Sequence, residues 1–222
     1  MAGTVCLQGG KEFGSSCRDL DLEVLRRTPI GPVVVLAGAA SPGRDYATAS
    51  RNAARYYANL GGDPGVPAPD PREDLAGCLA ALAQAELVVL PGGSPTRLLE
   101  VLVDLGDGAV GDALRARHEA GATISGASAG AMVLCSHTWR PDGPGDVVAG
   151  LGLVPGLALP HFRPDAVRDV PVGDEVVRWG LPECGGVLVV DGTVEAAGAG
   201  EPAMVRAGVV EPLPRGAAVP LP

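Results

Sequence analysis

Four short apolar runs constrain the fold more than any other feature of the chain: "TVCLQGG" (Thr4–Gly10), "GPVVVLAGAA" (Gly31–Ala40), "AELVVLPGG" (Ala85–Gly93) and "GATISGAS" (Gly121–Ser128). Each is continuous in Val, Leu or Ile rather than alternating with polar residues, which a strand requires when both of its faces are covered. Between them lie stretches with helical spacing, Asp19–Arg27, Tyr46–Leu60, Pro71–Ala85, Pro95–Leu105 and Gly111–Ala120. Strand and helix alternating in this order predict an α/β chain. The expected architecture is a doubly wound, mostly parallel sheet with helices on both faces, whose strand C-termini end in loops available for a site. Asp70-Pro71 followed by Glu73 and Asp74 reads as an N-cap, a proline at the first helical position and acids in the first turn.

After Leu159 the pattern changes. Asp165–Trp179 has room for one helix, and "GGVLVVDGTVEAAGAG" (Gly185–Gly200) reads as two strands about an Asp191-Gly192 hairpin turn, so the C-terminal portion is expected to be antiparallel. No repeat or linker interrupts the chain, and residues 1–222 are expected to form a single domain. Aromatic residues make up only 3%, so Val, Leu and Ala must do most of the packing.

A formal charge of -9, from 26 acidic against 17 basic residues, opposes attraction to phosphate backbones or anionic lipid, so neither nucleic acid nor membrane is an expected partner. Cys6, Cys17, Cys78, Cys135 and Cys184 are widely spread and form no C-x-x-C pair, which reads as reduced thiols with no metal site. No basic segment leads into a long apolar one, and no apolar run approaches the roughly 20 residues of a membrane helix. A cytoplasmic location is expected. Of the basic residues only Lys11 is a lysine, a bias that reads as codon usage.

Gly126-x-Ser128-x-Gly130 satisfies G-x-S-x-G and sits where that motif works, after the strand-like "ATIS" and before the helix-like "AGAMVLC". A serine on such a turn exposes its Oγ, and the amide of the next residue, Ala129, can point at a developing oxyanion. "VVLPGGSPTRLLE" places Gly92-Gly93 at the end of another buried strand, and Gly93 is the expected second oxyanion donor. Gly92, Ser94 and Arg163 are the residues expected to touch substrate. A serine needs a base, and the chain has three histidines. His118 lies at a charged helix end and His137 beyond the elbow helix. His161 ends the apolar "GLGLVPGLALPHF" and is the better candidate. For the acid that orients it, Glu183 in "WGLPECGGVLVV" competes with Asp142 and Asp146 in the polar "RPDGPGD" loop. With Glu183 the order is Ser, His, acid, which differs from that of α/β-hydrolases, where the histidine comes last.

These segments together resemble the serine-peptidase family of dipeptidase E and cyanophycinase, which has a class I glutamine-amidotransferase-like fold. "LQGGKEF" is similar to the family's opening Gly-Gly strand end, "PGGSPTRLL" to its oxyanion segment, "GASAGA" to its nucleophile elbow, and "WGLPECGGVLVV" to its glutamate-before-strand segment. The resemblance implies Ser128 as nucleophile, His161 as base, Glu183 as its partner and the amides of Gly93 and Ala129 as the hole. In the dipeptidase E branch the acid lies between serine and histidine, which keeps Asp142 open. Cyanophycin is disfavoured as substrate, because Ser94-Pro95 replaces the polar pair that cyanophycinases carry after the glycines, and "RPDAVRDVP" replaces their Arg-rich run. Arg163 and Arg168 remain available for a substrate carboxylate, as an Asp-X dipeptidase requires.

The expected activity is hydrolysis of a short peptide or isopeptide amide through an acyl-enzyme, with no cofactor. The small peptide is the expected partner, along with a second copy of the chain as a homodimer. An esterase using the same triad and a non-catalytic binding or regulatory module on the same fold are the competing expectations. A glutamine amidotransferase is disfavoured because the cysteine nearest to Ser128, Cys135, lies well past the elbow.

Overall fold

A computed structural model describes residues 1–64 and 67–222. The strands are β1 (Val5–Gln8), β2 (Pro32–Val35), β3 (Asp63–Pro64), β4 (Leu87–Leu90), β5 (Thr123–Ala127), β6 (Cys135–Trp139), β7 (Val147–Ala149), β8 (Val154–Pro160), β9 (Arg178–Leu181), β10 (Gly185–Val190), β11 (Thr193–Gly198), β12 (Ala203–Arg206), β13 (Val209–Pro212) and β14 (Ala218–Pro220). The α-helices are α1 (Arg18–Arg27), α2 (Arg44–Asn59), α3 (Leu75–Ala83), α4 (Pro95–Leu99), α5 (Ala109–Glu119) and α6 (Ala129–Leu134).

The main sheet runs β14-β11-β10-β1-β5-β4-β2-β3. The four apolar runs supply β1, β5, β4 and β2, which are adjacent and parallel to one another. Both faces of these strands are covered, which explains the unbroken apolar sequence. On one face Cys6, Val33, Val35 and Leu87 pack against Leu20 and Val24 of α1 and Ala53 and Tyr57 of α2. On the other, Val5, Leu7, Val88, Leu90 and Ile124 pack against Leu82 of α3, Leu98 of α4 and Leu114 of α5. The mostly parallel α/β sheet is the expected one.

From β10 onward the main sheet turns antiparallel, with Val189 opposite Val5 on β1. The expected hairpin joins β10 to β11, pairing Val190 with Thr193. Asp191 and Gly192 at its tip have φ of 45° and 75°, the left-handed region that a two-residue turn of this kind needs.

A second sheet, in the order β13-β12-β9-β8-β6-β7, was not foreseen in the sequence. Helix α6 packs against both sheets, and all six of its residues are buried. Apolar residues all round a short helix fit only such an interior position. A Cβ on Gly130 would lie 2.1 Å from the Leu90 carbonyl oxygen, so only glycine lets α6 approach β4 this closely.

Two boundary expectations are corrected. The helix expected over Asp165–Trp179 does not form. Pro171 interrupts it, and Arg178–Leu181 instead pairs with β8 on one side and β12 on the other. The helix expected from Pro71 begins at Leu75, where Asp74 caps it by accepting the Gly77 N–H at 2.8 Å. Asp70 is buried and pairs with Arg72 at 2.7 Å, so its carboxylate holds the preceding turn.

Candidate active site

Ser128 stands between β5 and α6 with φ 49° and ψ -110°, a conformation that L-residues rarely adopt. Its N–H donates to the Gln8 carbonyl at 2.9 Å, and its own carbonyl accepts the Met132 N–H at 3.0 Å, so the turn is fixed from both sides. Backbone strain of this type, of order 1–3 kcal/mol, persists only where the surroundings impose it. Here they are a parallel strand on one side and a buried helix on the other. Within the elbow Ser128 is half-buried while its neighbours from Ala122 to Ala127 and from Ala129 to Leu134 are buried.

His161 follows β8 with φ 54°. Its N–H donates to the Gly9 carbonyl at 2.9 Å, and the next N–H, that of Phe162, to Leu181 at 2.9 Å. These bonds tie the residue to the ends of β1 and β9 and turn the imidazole toward the elbow. His161 Nε2 lies 3.3 Å from Ser128 Oγ. On the far side of the ring, Nδ1 lies 3.3 Å from Glu183 Oε1. Glu183 occupies the turn between β9 and β10, and the β10 to β1 pairing holds that turn beside His161. Three residues singled out in the sequence thus form one line, Ser128 to His161 to Glu183.

The loop after β1, Gly9–Phe13, organises this line, and sequence reasoning missed most of it. A Cβ on Gly9 would lie 2.1 Å from the Pro182 carbonyl oxygen, and one on Gly10 would lie 2.4 Å from His161 Cε1. The paired glycines are therefore where β9 and the imidazole press against the loop. Lys11 Nζ lies 2.6 Å from Glu183 Oε2. That hydrogen bond, and less so the one to His161, hold the Glu183 carboxyl below its ordinary range against slight desolvation. The Gly92 N–H donates to Glu12 Oε1 at 2.8 Å, so Glu12 fixes the Gly92-Gly93 turn against the elbow. A Cβ on Gly92 would meet both Glu12 Oε1 at 2.7 Å and Ser128 Cβ at 3.1 Å. The one available signal was that Lys11 is the chain's only lysine, and it sits directly after the glycine pair.

Gly93 has φ 145°, and a Cβ there would lie 2.7 Å from the Ala39 carbonyl oxygen. Ala129 opens α6, where a first-turn N–H has no intrahelical acceptor. A groove of about 810 Å³ opens beyond the glycines, with Arg44, Asp45, Asn52, Ser94 and Arg97 along its walls.

The remaining candidates lie elsewhere. Asp142 accepts hydrogen bonds from Ser94 Oγ and, at 2.8 Å, from Thr96 Oγ1. Partial burial works against its ionisation, but these bonds outweigh it and hold the carboxyl below its ordinary range. Asp146 pairs with Arg140 at 2.7 Å. His137 is on β6 with Nδ1 2.9 Å from Ser136 Oγ. His118 is on α5, and its burial depresses its pKa although Glu119 pulls it upward. Arg163 pairs with Asp165 at 3.2 Å and is 72% exposed, and Arg168 is exposed. Cys135 opens β6 in the core rather than continuing the elbow helix.

Among the described residues no cluster of His, Cys, Asp or Glu is arranged to hold a metal ion, and no helix is long and apolar enough to cross a membrane.

The fold is shared with solved peptidases. A crystal structure of a peptidase from an acI-B1 Actinobacterium has a TM-score of 0.79 at 16% identity, covering 99% of this chain and 97% of that one. A putative peptidase E from Listeria monocytogenes EGD-e has a TM-score of 0.57 at 15% identity, covering 93% and 99%. No curated protein sequence matches. At these identities the likeness shows a shared α/β fold, with the serine turn at the end of its central strand β5. The chain belongs to peptidase family S51, whose family model matches residues 41–193, more than half of its length. The Gly9–Phe13 loop lies outside the matched residues.

Proposed function

We propose that this peptidase is a serine enzyme that hydrolyses short peptide or isopeptide amides. The observation that carries the reading is the 3.3 Å contact of Ser128 Oγ with His161 Nε2, on a ring whose other nitrogen faces Glu183. His161 takes the Ser128 proton as Oγ attacks the carbonyl carbon, and the amides of Gly93 and Ala129 receive the oxyanion. His161 then gives that proton to the leaving amine, and water releases the acyl group by the same steps. Glu183 holds the imidazole in the tautomer with its proton on Nδ1 and stabilises the imidazolium as it forms. The short Ser128–His161 separation favours this over a non-catalytic module.

The groove beyond Gly93 supports a substrate bearing a carboxylate. Arg44 and Arg97 line it, and a guanidinium meets a carboxylate in a paired, planar geometry. Arg163, committed to Asp165, is the weaker candidate for that contact. A dipeptide library that includes N-terminal Asp peptides, incubated with the wild type and with Ser128→Ala, tests the reading. Cleavage that depends on Ser128, with a serine-reactive phosphonate labelling only the wild type, is the expected result. Equal labelling of both proteins would sink it.

A further inference from the structure

All five cysteines are buried thiols, but two of them are not isolated. Cys17 and Cys184, 167 residues apart in sequence, place their sulfurs 2.7 Å from each other. That is closer than unbonded sulfurs ordinarily pack, and a movement of under about 1 Å would bring them to the length of a disulfide bond. The pair sits where it matters for the site. Cys17 lies at the head of α1, with its thiol 3.0 Å from the Lys11 carbonyl oxygen. Cys184 directly follows Glu183, and its N–H donates to the Gly10 carbonyl at 3.1 Å.

We propose that Cys17 and Cys184 form an oxidation site for a peroxide-class oxidant, which converts them to a disulfide that staples the Gly9–Cys17 segment to the Glu183 turn. Only small oxidants fit, since Cys184 is 7% exposed and Cys17 is 0% exposed. Cys184, the more accessible thiol, reacts first. Its thiolate attacks one peroxide oxygen, the O–O bond breaks, and hydroxide leaves to become water, which gives a sulfenic acid at Cys184. The Cys17 sulfur then attacks the Cys184 sulfur. The S–S bond forms as the S–O bond breaks, and the departing hydroxide takes the Cys17 proton as water. In sum two thiols and one hydrogen peroxide give one disulfide and two waters. Burial, with the neighbouring Cys184 thiol, raises the Cys17 pKa well above its ordinary value, which suits the second role rather than the first.

Because the sulfurs already face each other, closing the bond needs a movement of under about 1 Å. The consequence is stability. A cross-link closing so long a loop is expected to raise the melting temperature by roughly 5–15 °C.

The test treats the full chain with one equivalent of hydrogen peroxide or with a phosphine reductant, alkylates both samples in denaturant, and maps the peptides by mass spectrometry. Expected are a Cys17–Cys184 linked peptide only after peroxide, a higher melting temperature for that sample, and no such difference in Cys17→Ala. Alkylation of both thiols after peroxide would overturn the proposal, as would conversion of Cys184 to a sulfinic acid without cross-linking, or equal melting temperatures for linked and reduced wild type. The peptide map of the wild type decides the matter even if the variant fails to fold. None of these outcomes bears on whether Ser128 is the nucleophile.

Discussion

Lys11 Nζ lies 2.6 Å from Glu183 Oε2, so the chain's only lysine ion-pairs with the carboxylate that faces His161. The pair is solvent-exposed, and its contribution is to position and charge the acid rather than to stabilise the fold. Replacing Lys11 by Met removes the interaction that holds the Glu183 carboxyl below its ordinary range. The Glu183 pKa is therefore expected to rise in Lys11→Met, as read by carboxyl-carbon NMR titration. Peptidase activity should fall only several-fold, since Glu183 keeps its contact with His161. An unchanged Glu183 titration would remove Lys11 from the account.

Glu183 and Asp142 competed in the sequence for the place behind His161, and their surroundings now separate them. Asp142 serves Ser94 and Thr96, while Glu183 faces Nδ1 of the imidazole. Glu183→Gln is expected to lower kcat by up to about 10⁴-fold, the loss seen when a buried orienting carboxylate is made neutral. Asp142→Asn should lower it by no more than about tenfold, through the Ser94 wall of the groove. Steady-state kinetics on any cleaved dipeptide distinguishes the two. A reversed ranking would move the acid to Asp142.

Much of this arrangement was legible in the sequence, for reasons tied to particular segments. The runs around β1, β2, β4 and β5 betray themselves because strands buried on both faces leave no room for polar residues. Ser128, His161 and Glu183 stood out because each is a polar group in an otherwise apolar or glycine-rich setting. The second sheet was hidden. Strand β6, Cys135–Trp139, is short and follows directly on the helix-like "AGAMVL", and Arg178 and Trp179 of β9 close a stretch whose spacing fits a helix equally well. Lys11 and Glu12 were hidden for a different reason, since their partners Glu183 and Gly92 are distant in sequence. A loop written "GGKEF" shows nothing of what presses against it.

Strain at the elbow predicts an unusual outcome for two inactive variants. With φ 49° and ψ -110°, Ser128 occupies a region open to glycine and costly for residues with a Cβ. Ser128→Gly should be more stable than Ser128→Ala by about 1 kcal/mol, after glycine's greater chain entropy offsets part of the relieved strain. Urea unfolding of the two proteins measures the difference. Equal midpoints would show that the turn is not strained.

Gly10 offers a test of how tightly the imidazole is held. A Cβ there would sit 2.4 Å from His161 Cε1 and 2.9 Å from Nε2, at a φ of 125° that already disfavours any other residue. Gly10→Ala must push the ring away from Ser128 or pull the loop off it. Because an ångström of misplacement can reduce turnover about 10²-fold, kcat is expected to fall by at least that much. Circular dichroism should show the fold retained, since the sheet does not depend on this loop. Activity near that of the wild type would mean that the ring has more room than the geometry allows.

A final prediction concerns a buried carboxyl outside the site. Asp21 on α1 is 2% exposed and accepts hydrogen bonds from Tyr56 at 2.8 Å and Tyr57 at 3.0 Å. Burial pushes its pKa from 3.8 up to about 6, although the two tyrosine hydroxyls oppose the rise. A carboxyl raised in the folded state binds its proton more tightly there than in the unfolded chain. Between about pH 4 and pH 6 the native state therefore carries more protons, and stability must decline as pH rises through that window. A shift of this size corresponds to a loss of up to roughly 3 kcal/mol, complete above pH 6. Asp21→Asn cannot titrate, so the decline should be absent from it. Carboxyls held low, such as Glu183 and Asp142, give the opposite slope and are common to both proteins, so the difference between the two stability curves isolates Asp21. Urea unfolding at intervals from pH 4 to pH 7 measures it, and parallel curves for wild type and variant would place the titration of Asp21 outside this range.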